Sequence, residues 1–203
     1  MKILSFESEQ EWLAARLGKI TGSRLKDVTP KERGSGKKKG FYELVAERIA
    51  LPADGENPME RGHRLESEAI ERFETVTGKK VDPSLIMWAR EDDDRIAISP
   101  DGVIGKTGIE AVEVKCLASA SHVEALLTKQ VPSEYKYQTL QYFIVNDVLE
   151  TLHLCFYDPR LRVHDFFIIE VTRESVKDEI DAMLEHQKLT LVEVDEIVKQ
   201  LSF

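Results

Sequence analysis

The first part of the chain carries apolar side chains at the three- and four-residue spacing of amphipathic helices. Leu13 and Leu17 follow Ser8 and Glu11, whose spacing is that of a helix-capping pair, and Gly18 is suited to end the helix. The same reasoning predicts a short helix that begins at residues 21–23 and longer helices over residues 41–49, 59–77, 119–128, 134–146, 173–188 and 191–201.

From about residue 84 the pattern changes to the alternation of apolar and polar positions that is typical of strands. Strands are predicted over residues 85–88, 95–98, 109–117, 152–157 and 164–171. Helices on both sides of this strand cluster indicate an α/β fold with a central mixed β-sheet flanked by helices. The length of 203 residues favours a single domain that covers residues 1–203.

Composition excludes several classes of protein. No apolar run approaches the roughly 20 residues of a membrane-spanning helix, so no membrane partner is expected. Residues 1–9 turn acidic without a long apolar run and are not expected to be a secretory signal. Cys116 and Cys155 form no CxxC motif, which argues against a disulfide framework or a zinc site and favours a reducing cytoplasm.

The formal net charge of −9 argues against a protein that coats nucleic acid through bulk electrostatics. The basic segment, residues 31–39, nevertheless carries five positive charges and one negative charge. We expect its side chains Arg33, Lys37, Lys38 and Lys39 to lie in a loop that contacts duplex phosphate groups.

The predicted strand over residues 109–117 carries candidate chemistry on one of its faces. Because strand side chains alternate, Glu113 and Lys115 share one face, whereas Val112, Val114 and Cys116 share the other. The second face is expected to be buried, Cys116 included. Taken alone, a Glu and a Lys on one strand face are also typical of a surface that water covers.

A turn of sequence Ser-Pro-Asp-Gly at residues 99–102 follows a predicted strand. A hairpin from this turn into the next strand would bring Asp101 beside Glu113, so that two carboxylates and Lys115 converge at one end of the sheet. Carboxylate oxygens suit a hard cation such as Mg²⁺. A lysine there can stabilise negative charge on a phosphate group or activate a water molecule.

Glu66 lies at the edge of an apolar stripe on the predicted helix over residues 59–77. The stripe consists of residues spaced by three or four, namely Gly62, Leu65, Ala69, Phe73 and Val76. A carboxylate beside such a stripe is paired, binds a metal ion or extends to water, and the spacing does not distinguish among these alternatives.

Asp101, followed by Glu113-Val114-Lys115, resembles the PD-(D/E)xK nuclease motif and its restriction-endonuclease-like fold. More of the chain resembles one branch of that superfamily, the lambda-exonuclease-like, YqaJ-type viral recombinases. The segments that carry the resemblance are residues 16–23, 62–66, 99–102, 113–116 and 157–160, together with a glutamine-containing helix that holds Gln138 and Gln141.

The resemblance implies a processive, Mg²⁺-dependent 5′-to-3′ exonuclease on linear double-stranded DNA, which releases mononucleotides and leaves 3′ overhangs. It further implies two Mg²⁺ ions per site, which Mn²⁺ could replace, and a homotrimeric ring that threads DNA ends. A single-strand annealing protein is the implied partner. The implied setting is the cytoplasm of a bacterial host, with the protein encoded by a phage or prophage.

The resemblance also implies a role for individual residues. Asp101, Glu113 and Glu66 would bind metal with the Val114 carbonyl, and Lys115 would activate the attacking water. The pocket for the terminal 5′-phosphate would consist of Arg16, Ser23, Ser99 and Gln138. Met59 would be the wedge that splits the end base pair. Gln141 lies one turn from Gln138 and is the alternative residue for the phosphate role.

Three alternatives share parts of this site. An endonuclease of the same fold, such as a restriction or junction-resolving enzyme, would need Asp101, Glu113 and Lys115 but no pocket for a 5′-phosphate. A DNA-end-binding scaffold would have lost catalysis, although every acidic and basic position of the site is filled here. A metal enzyme that acts on small phosphoesters would have no use for the basic segment.

Overall fold

The computed structural model describes residues 1–30, 38, 41, 44, 60–117, 119–159, 161 and 163–202. Several sequence predictions lie outside the described residues. They are the wedge residue Met59, the basic side chains of Arg33, Lys37 and Lys39, and most of the helix predicted over residues 41–49.

Two β-sheets form the centre of the structure. A three-stranded antiparallel sheet has the order β1-β3-β4, and a five-stranded sheet has the order β2-β5-β6-β7-β8. In the larger sheet, β6 and β7 are parallel and the other neighbours are antiparallel. The strands are β1 (Lys2–Ser5), β2 (Val81–Asp82), β3 (Ile86–Ala89), β4 (Ala97–Ile98), β5 (Gly102–Ile104), β6 (Glu110–Lys115), β7 (Thr151–Tyr157) and β8 (Phe166–Thr172).

Helices cover both faces of the larger sheet. They are α1 (Glu9–Arg16), α2 (Gly22–Val28), α3 (Glu60–Thr77), α4 (Ser119–Thr128), α5 (Lys136–Val145) and α6 (Arg173–Leu201), with a 3₁₀ helix at Ser133–Tyr135 before α5. The predicted capping pair is confirmed, because the Ser8 hydroxyl accepts a hydrogen bond from the Glu11 amide at 3.3 Å. The predicted α/β fold with a central mixed sheet flanked by helices is also confirmed.

The structure differs from the predicted elements in a few places. Strands β1, β2 and β5 were not predicted, and β2 and β5 have only two and three residues, too few to show an alternating pattern. The two helices predicted over residues 173–188 and 191–201 form the single helix α6, since no Gly or Pro separates them. Cys116 was predicted to be buried but is exposed, because β6 ends at Lys115.

The two faces of β6 meet different helices. Val112 and Val114 pack against Ala69 and Phe73 of α3, in a small core cluster on one side of the sheet. Of the stripe predicted on this helix, Val76 is instead exposed. Glu113 and Lys115 point to the other side, where α5 lies. The alternation predicted for this strand is therefore confirmed and separates an apolar face from a chemical one.

Helix α5 is the central helix of the fold and is buried from Thr139 to Val145. Its Gln141 side chain is fully buried and donates hydrogen bonds to the Ile20 carbonyl at 2.9 Å and to Gln187 of α6 at 3.0 Å. Gln187 donates back to the Gln141 amide oxygen at 2.9 Å. This reciprocal pair satisfies two amides in the core and ties α5, α6 and the start of α2 together.

Within the described ranges, none of the helices combines the length and the apolar character needed to cross a membrane.

Gly22 allows α2 to approach the sheet and α5 closely. A Cβ atom there would lie 2.0 Å from Cδ1 of Ile98 and 3.0 Å from Cγ of Gln138. We expect Gly22→Ala to lower the free energy of unfolding by about 1–3 kcal/mol, because overpacking forces buried neighbours to move. Chemical denaturation measures this change, and an unchanged free energy would show that the core accommodates the methyl group.

Candidate active site

The hairpin of β5 and β6 brings the two predicted carboxylates together. Asp101 directly precedes β5, and its Oδ2 atom accepts a hydrogen bond from the Val114 amide at 2.7 Å. The charge of Glu113 also contributes to the raised pKa of Asp101, which shows that the two side chains interact. The juxtaposition predicted from the Ser-Pro-Asp-Gly turn is thus present.

The Glu113 carboxylate is only 3% exposed and accepts three hydrogen bonds. Lys115 and Gln138 donate to its Oε1 atom, and the fully buried Tyr142 hydroxyl donates to its Oε2 atom. A buried carboxylate requires such partners, since its transfer from water is otherwise strongly unfavourable. These donors also fix the orientation of the carboxylate.

Charges in the site shift the pKa values of its titratable groups. Burial, reinforced by the charges of Glu113 and Glu66, raises the pKa of Asp101 well above its ordinary value. Burial lowers the pKa of the Lys115 ammonium, but the nearby charges of Glu113 and Asp101 outweigh this effect and the pKa lies above its ordinary value. Lys115 is therefore a charged group in this state of the site.

Glu66 of α3 contributes to the same electrostatic cluster and is half-buried. Its charge raises the pKa of Asp101, and, together with desolvation, it raises the pKa of Cys116 to about 11. The edge position predicted for Glu66 therefore faces the end of β6 at which Asp101 and Cys116 lie.

Arg16 and Ser23 meet at the start of α2. The Arg16 Nη2 atom donates to the Ser23 hydroxyl at 3.4 Å, and the guanidinium group lies over the Trp12 ring at 4.4 Å from its centroid. Burial lowers the pKa of Arg16, and the charge of Glu113 opposes this effect, so the guanidinium group lies within range of the carboxylates.

Ser99, a predicted phosphate ligand, precedes the hairpin and is 8% exposed. Its buried hydroxyl has no hydrogen-bond partner among the described residues, whereas its carbonyl accepts from the Tyr142 hydroxyl at 3.5 Å. A buried hydroxyl without a partner is unfavourable, so an incoming polar group would be stabilised there.

A cavity of about 230 Å³ lies between α2, the 3₁₀ helix, the end of β6 and the start of α5. We call it the α2 cavity. The residues that line it are Gly22, Ser23, Lys26, Lys115, Glu134, Tyr135 and Gln138. It therefore adjoins the two side chains that donate to Glu113 Oε1, Lys115 and Gln138, and it contains two of the residues predicted to bind phosphate, Ser23 and Gln138.

The structure distinguishes the two glutamines that the sequence left as alternatives. Gln138 lines the α2 cavity and donates to Glu113. Gln141 is buried in the core and is paired with Gln187, so it faces away from the cavity. The geometry favours Gln138 for a role in the site.

Lys38 is the described member of the basic segment. Its ammonium group donates to the Lys26 carbonyl at 2.9 Å and to the Thr29 hydroxyl at 2.6 Å, at the C-terminal end of α2. A lysine at this end of a helix satisfies a free carbonyl group. Lys38 is thereby attached to the end of α2, the helix that contributes Ser23 and Lys26 to the α2 cavity.

Two tyrosines of the site were missed by sequence reasoning. Tyr142 lies four residues after Gln138, so both side chains occupy one face of α5 and reach Glu113. That spacing was a signal that could have identified Tyr142. The Tyr135 ring lies under the Lys115 ammonium group at 5.0 Å, which depends on a tertiary contact that no sequence pattern indicates.

The donor set fits a hard divalent cation. Across the described part of the chain, no group of three or more Asp, Glu, His or Cys side chains forms a ready-made metal site. Asp101 and Glu113 instead offer a carboxylate pair, with the charge of Glu66 nearby. Because Lys115 donates to Glu113, a cation at this pair would compete with the ammonium group for the carboxylate.

The sequence and the structure were compared with known proteins. The family model of the YqaJ-like viral recombinase domain matches residues 11–148. A comparison with curated protein sequences gave no significant match.

Solved structures give a consistent result. The alkaline exonuclease LHK-Exo from Laribacter hongkongensis matches with a TM-score of 0.80 and 27% identity, over 95% of this chain and 96% of that chain. The same enzyme in complex with dAMP matches equally well, over 95% of each chain. A phage-related exonuclease from Haemophilus somnus 129PT matches with a TM-score of 0.58 and 13% identity, over 88% of this chain and 96% of that chain, and shares the fold.

The fold, with carboxylates and a lysine at one end of its mixed sheet, is thus that of an α/β protein of the alkaline exonuclease type. The chain belongs to the YqaJ-like viral recombinase family, since the family model covers well over half of its length. The predicted membership of the lambda-exonuclease-like family is confirmed. Both matches support a nuclease that acts on DNA.

The raised pKa of Asp101 predicts how the metal-free protein responds to pH. The folded protein retains a proton that the unfolded chain releases, so its stability falls as pH rises from the ordinary pKa of 3.8 through the raised value. Asp101→Asn should remove this dependence and raise the melting temperature of the EDTA-treated protein, by a margin that grows with pH. Thermal unfolding over a pH series measures the effect.

The matched control is Asp82→Asn, for which the expected change in stability has the opposite sign. Hydrogen bonds from Ser84 lower the pKa of Asp82, so its ionised form stabilises the fold above the ordinary pKa. This variant should lose stability at neutral pH. If Asp101→Asn also destabilised the metal-free protein at neutral pH, the raised pKa of Asp101 would be refuted.

Proposed function

We propose that the protein is a Mg²⁺-dependent, processive 5′-to-3′ exonuclease on linear double-stranded DNA, which releases 5′-mononucleotides and leaves 3′ single-stranded overhangs. The observation that carries the proposal is the carboxylate pair of Asp101 and Glu113, held next to Lys115 at the wall of the α2 cavity. The family and the similarity to an alkaline exonuclease support the same conclusion.

Asp101, Glu113 and the Val114 carbonyl would hold one Mg²⁺ ion, and Glu66 with Asp101 would hold a second. Bound there, the ions would stabilise the attacking and leaving oxygens of an in-line displacement, and Mn²⁺ has the same ligand preference. The tightly hydrogen-bonded Glu113 supports this assignment, because its orientation is set before a metal arrives.

Lys115 would orient and activate the attacking water. Its ammonium group is held between the Glu113 carboxylate and the Tyr135 ring, which confines it to one side of the carboxylate pair. A cation that binds Glu113 would weaken this ion pair and free the ammonium group for the substrate phosphate.

Arg16, Ser23, Ser99 and Gln138 would bind the terminal 5′-phosphate. Arginine offers two parallel donors to phosphate, and the hydroxyl and amide groups add neutral donors. A pocket for this group favours processive digestion, since each cut exposes a new 5′-phosphate. The Ser99 hydroxyl, which has no hydrogen-bond partner among the described residues, could bond to an oxygen of the bound phosphate.

The family also supports proposals about assembly. The functional unit would be a homotrimeric ring around the DNA, and a single-strand annealing protein would receive the overhang. Met59 would separate the end base pair, and Arg33, Lys37, Lys38 and Lys39 would contact the duplex backbone. The cytoplasm of a bacterial host would be the site of action of this phage or prophage protein.

A digestion assay tests the activity directly. Linear duplex and covalently closed circular duplex are incubated with wild-type protein and with Lys115→Ala, in Mg²⁺ or in EDTA. We expect mononucleotides from the linear duplex in Mg²⁺ only, and a loss of about 100-fold or more in the variant. Filter binding should show that Lys115→Ala still binds DNA ends.

The other outcomes identify the alternatives. A cut circle would make the protein an endonuclease of the same fold. DNA ends that are bound but not cut by the wild type would leave a scaffold without catalysis. Full activity of Lys115→Ala would refute the assigned site, and full activity in EDTA would refute the metal.

Arg16→Ala should reduce the preference for 5′-phosphorylated over 5′-hydroxyl ends. A charge-assisted contact to phosphate contributes enough for a decrease of about tenfold in the ratio of the two initial rates. Arg72→Ala is the control, because Arg72 pairs with Asp165 outside the site at 2.7 Å. A ratio that stays constant in Arg16→Ala would show that Arg16 does not bind the phosphate.

A further inference from the structure

The α2 cavity contains a cation to which neither the sequence analysis nor the family assigns a role. Lys26 lines the cavity together with Ser23, three residues earlier on the same exposed face of α2. Leu25 and Val28 on the other face are buried. The helix therefore presents Ser23 and Lys26 side by side at the cavity.

The cavity is lined by two ammonium groups, those of Lys26 and Lys115, and by one carboxylate, that of Glu134. Lys115 is paired with Glu113. The Glu134 side chain forms a hydrogen bond with Tyr135, and burial together with this bond raises the pKa of Tyr135 to about 12. Among the residues that the structure describes, no carboxylate forms an ion pair with Lys26. An exposed ammonium group that faces a cavity with other donors is suited to an anion.

The position of Lys26 is fixed from both sides of α2. Gly22 permits the close approach of the helix to Ile98 and Gln138, and the Lys38 ammonium group donates to the Lys26 carbonyl at 2.9 Å. The backbone of Lys26 is thus held while its side chain reaches the cavity. Lys38 adds a second positive charge at this end of the helix.

We infer that Lys26 is a phosphate-binding residue of the α2 cavity, where its ammonium group contacts the terminal 5′-phosphate alongside Ser23 and Gln138. The inference rests on the proposed exonuclease function and assigns a further specificity residue to it. Lysine acts on phosphate as a compact point charge, which complements the planar fork of Arg16, a hydrogen-bond partner of Ser23. It would make the site discriminate more strongly between phosphorylated and hydroxyl ends.

The test compares Lys26→Ala and Lys26→Arg with Lys106→Ala. Lys106 is an exposed lysine in the turn between β5 and β6, at the far end of β5 from Asp101. The ratio of rates on 5′-phosphorylated and 5′-hydroxyl duplex should fall about tenfold in Lys26→Ala. Lys26→Arg should restore most of the ratio, and Lys106→Ala should match the wild type.

Two results on DNA would overturn the inference. The first is an unchanged ratio of the rates on 5′-phosphorylated and 5′-hydroxyl duplex in Lys26→Ala. The second is an equal loss of rate on both kinds of end, together with a slope of DNA affinity against salt concentration that falls by about 1. That pattern indicates a contact with an internal backbone phosphate.

A binding measurement without metal separates this inference from the proposed function. Calorimetric titration in EDTA with deoxyadenosine 5′-monophosphate and with deoxyadenosine should show a phosphate-dependent gain in affinity that Lys26→Ala loses. A wild type that cleaves no DNA would refute the exonuclease proposal alone. A phosphate-dependent gain in affinity that persists in Lys26→Ala would refute the role of Lys26 alone, even if the protein digests DNA.

Discussion

The buried carboxylate of Glu113 is the constraint around which the rest of the site is arranged. It lies in the middle of the larger sheet and is 3% exposed, so it must be matched by donors from the surrounding elements. Lys115 comes from the same strand, and Gln138 and Tyr142 come from α5. The position of α5 against β6 is therefore set by a charged group as well as by apolar packing.

A second group of hydrogen bonds fixes the start of α2 relative to α5. The reciprocal amide pair of Gln141 and Gln187 lies behind Gln138 on α5, and Gln141 also donates to the Ile20 carbonyl at 2.9 Å and to the Ala97 carbonyl at 3.3 Å. Buried amides that are fully satisfied favour one packing arrangement over its neighbours. The helix that presents Ser23 is consequently held in a defined position relative to the carboxylates.

The site contains several positive side chains, although the chain as a whole is negatively charged. The protein carries a formal net charge of −9, yet Lys26 and Lys115 line one cavity, and Arg16 interacts electrostatically with the nearby carboxylates. The carboxylates beside them repel one another, which raises the pKa of Asp101 beyond the effect of burial. A site with adjoining anionic and cationic regions is suited to hold a divalent cation next to a phosphate group, since each region neutralises part of the substrate complex.

Local rules in the sequence determined much of the fold. Periodicity predicted most helices and strands, because an amphipathic face must follow the period of its element, and the Ser8 and Glu11 capping pair acts within a single turn. The turn before Asp101 and the alternation in β6 were likewise local, so the meeting of Asp101 and Glu113 could be predicted. The family resemblance added the metal-binding role of Glu66 and the residues around Arg16.

Only the tertiary structure decided which side chains complete the site. The choice between Gln138 and Gln141 depends on the rotation of α5 against the sheet. Tyr135 under Lys115, and Lys26 at the cavity wall, arise from the approach of segments far apart in the chain. The exposure of Cys116 depends on where β6 ends. Such features follow from packing between elements, which no periodicity within one element encodes.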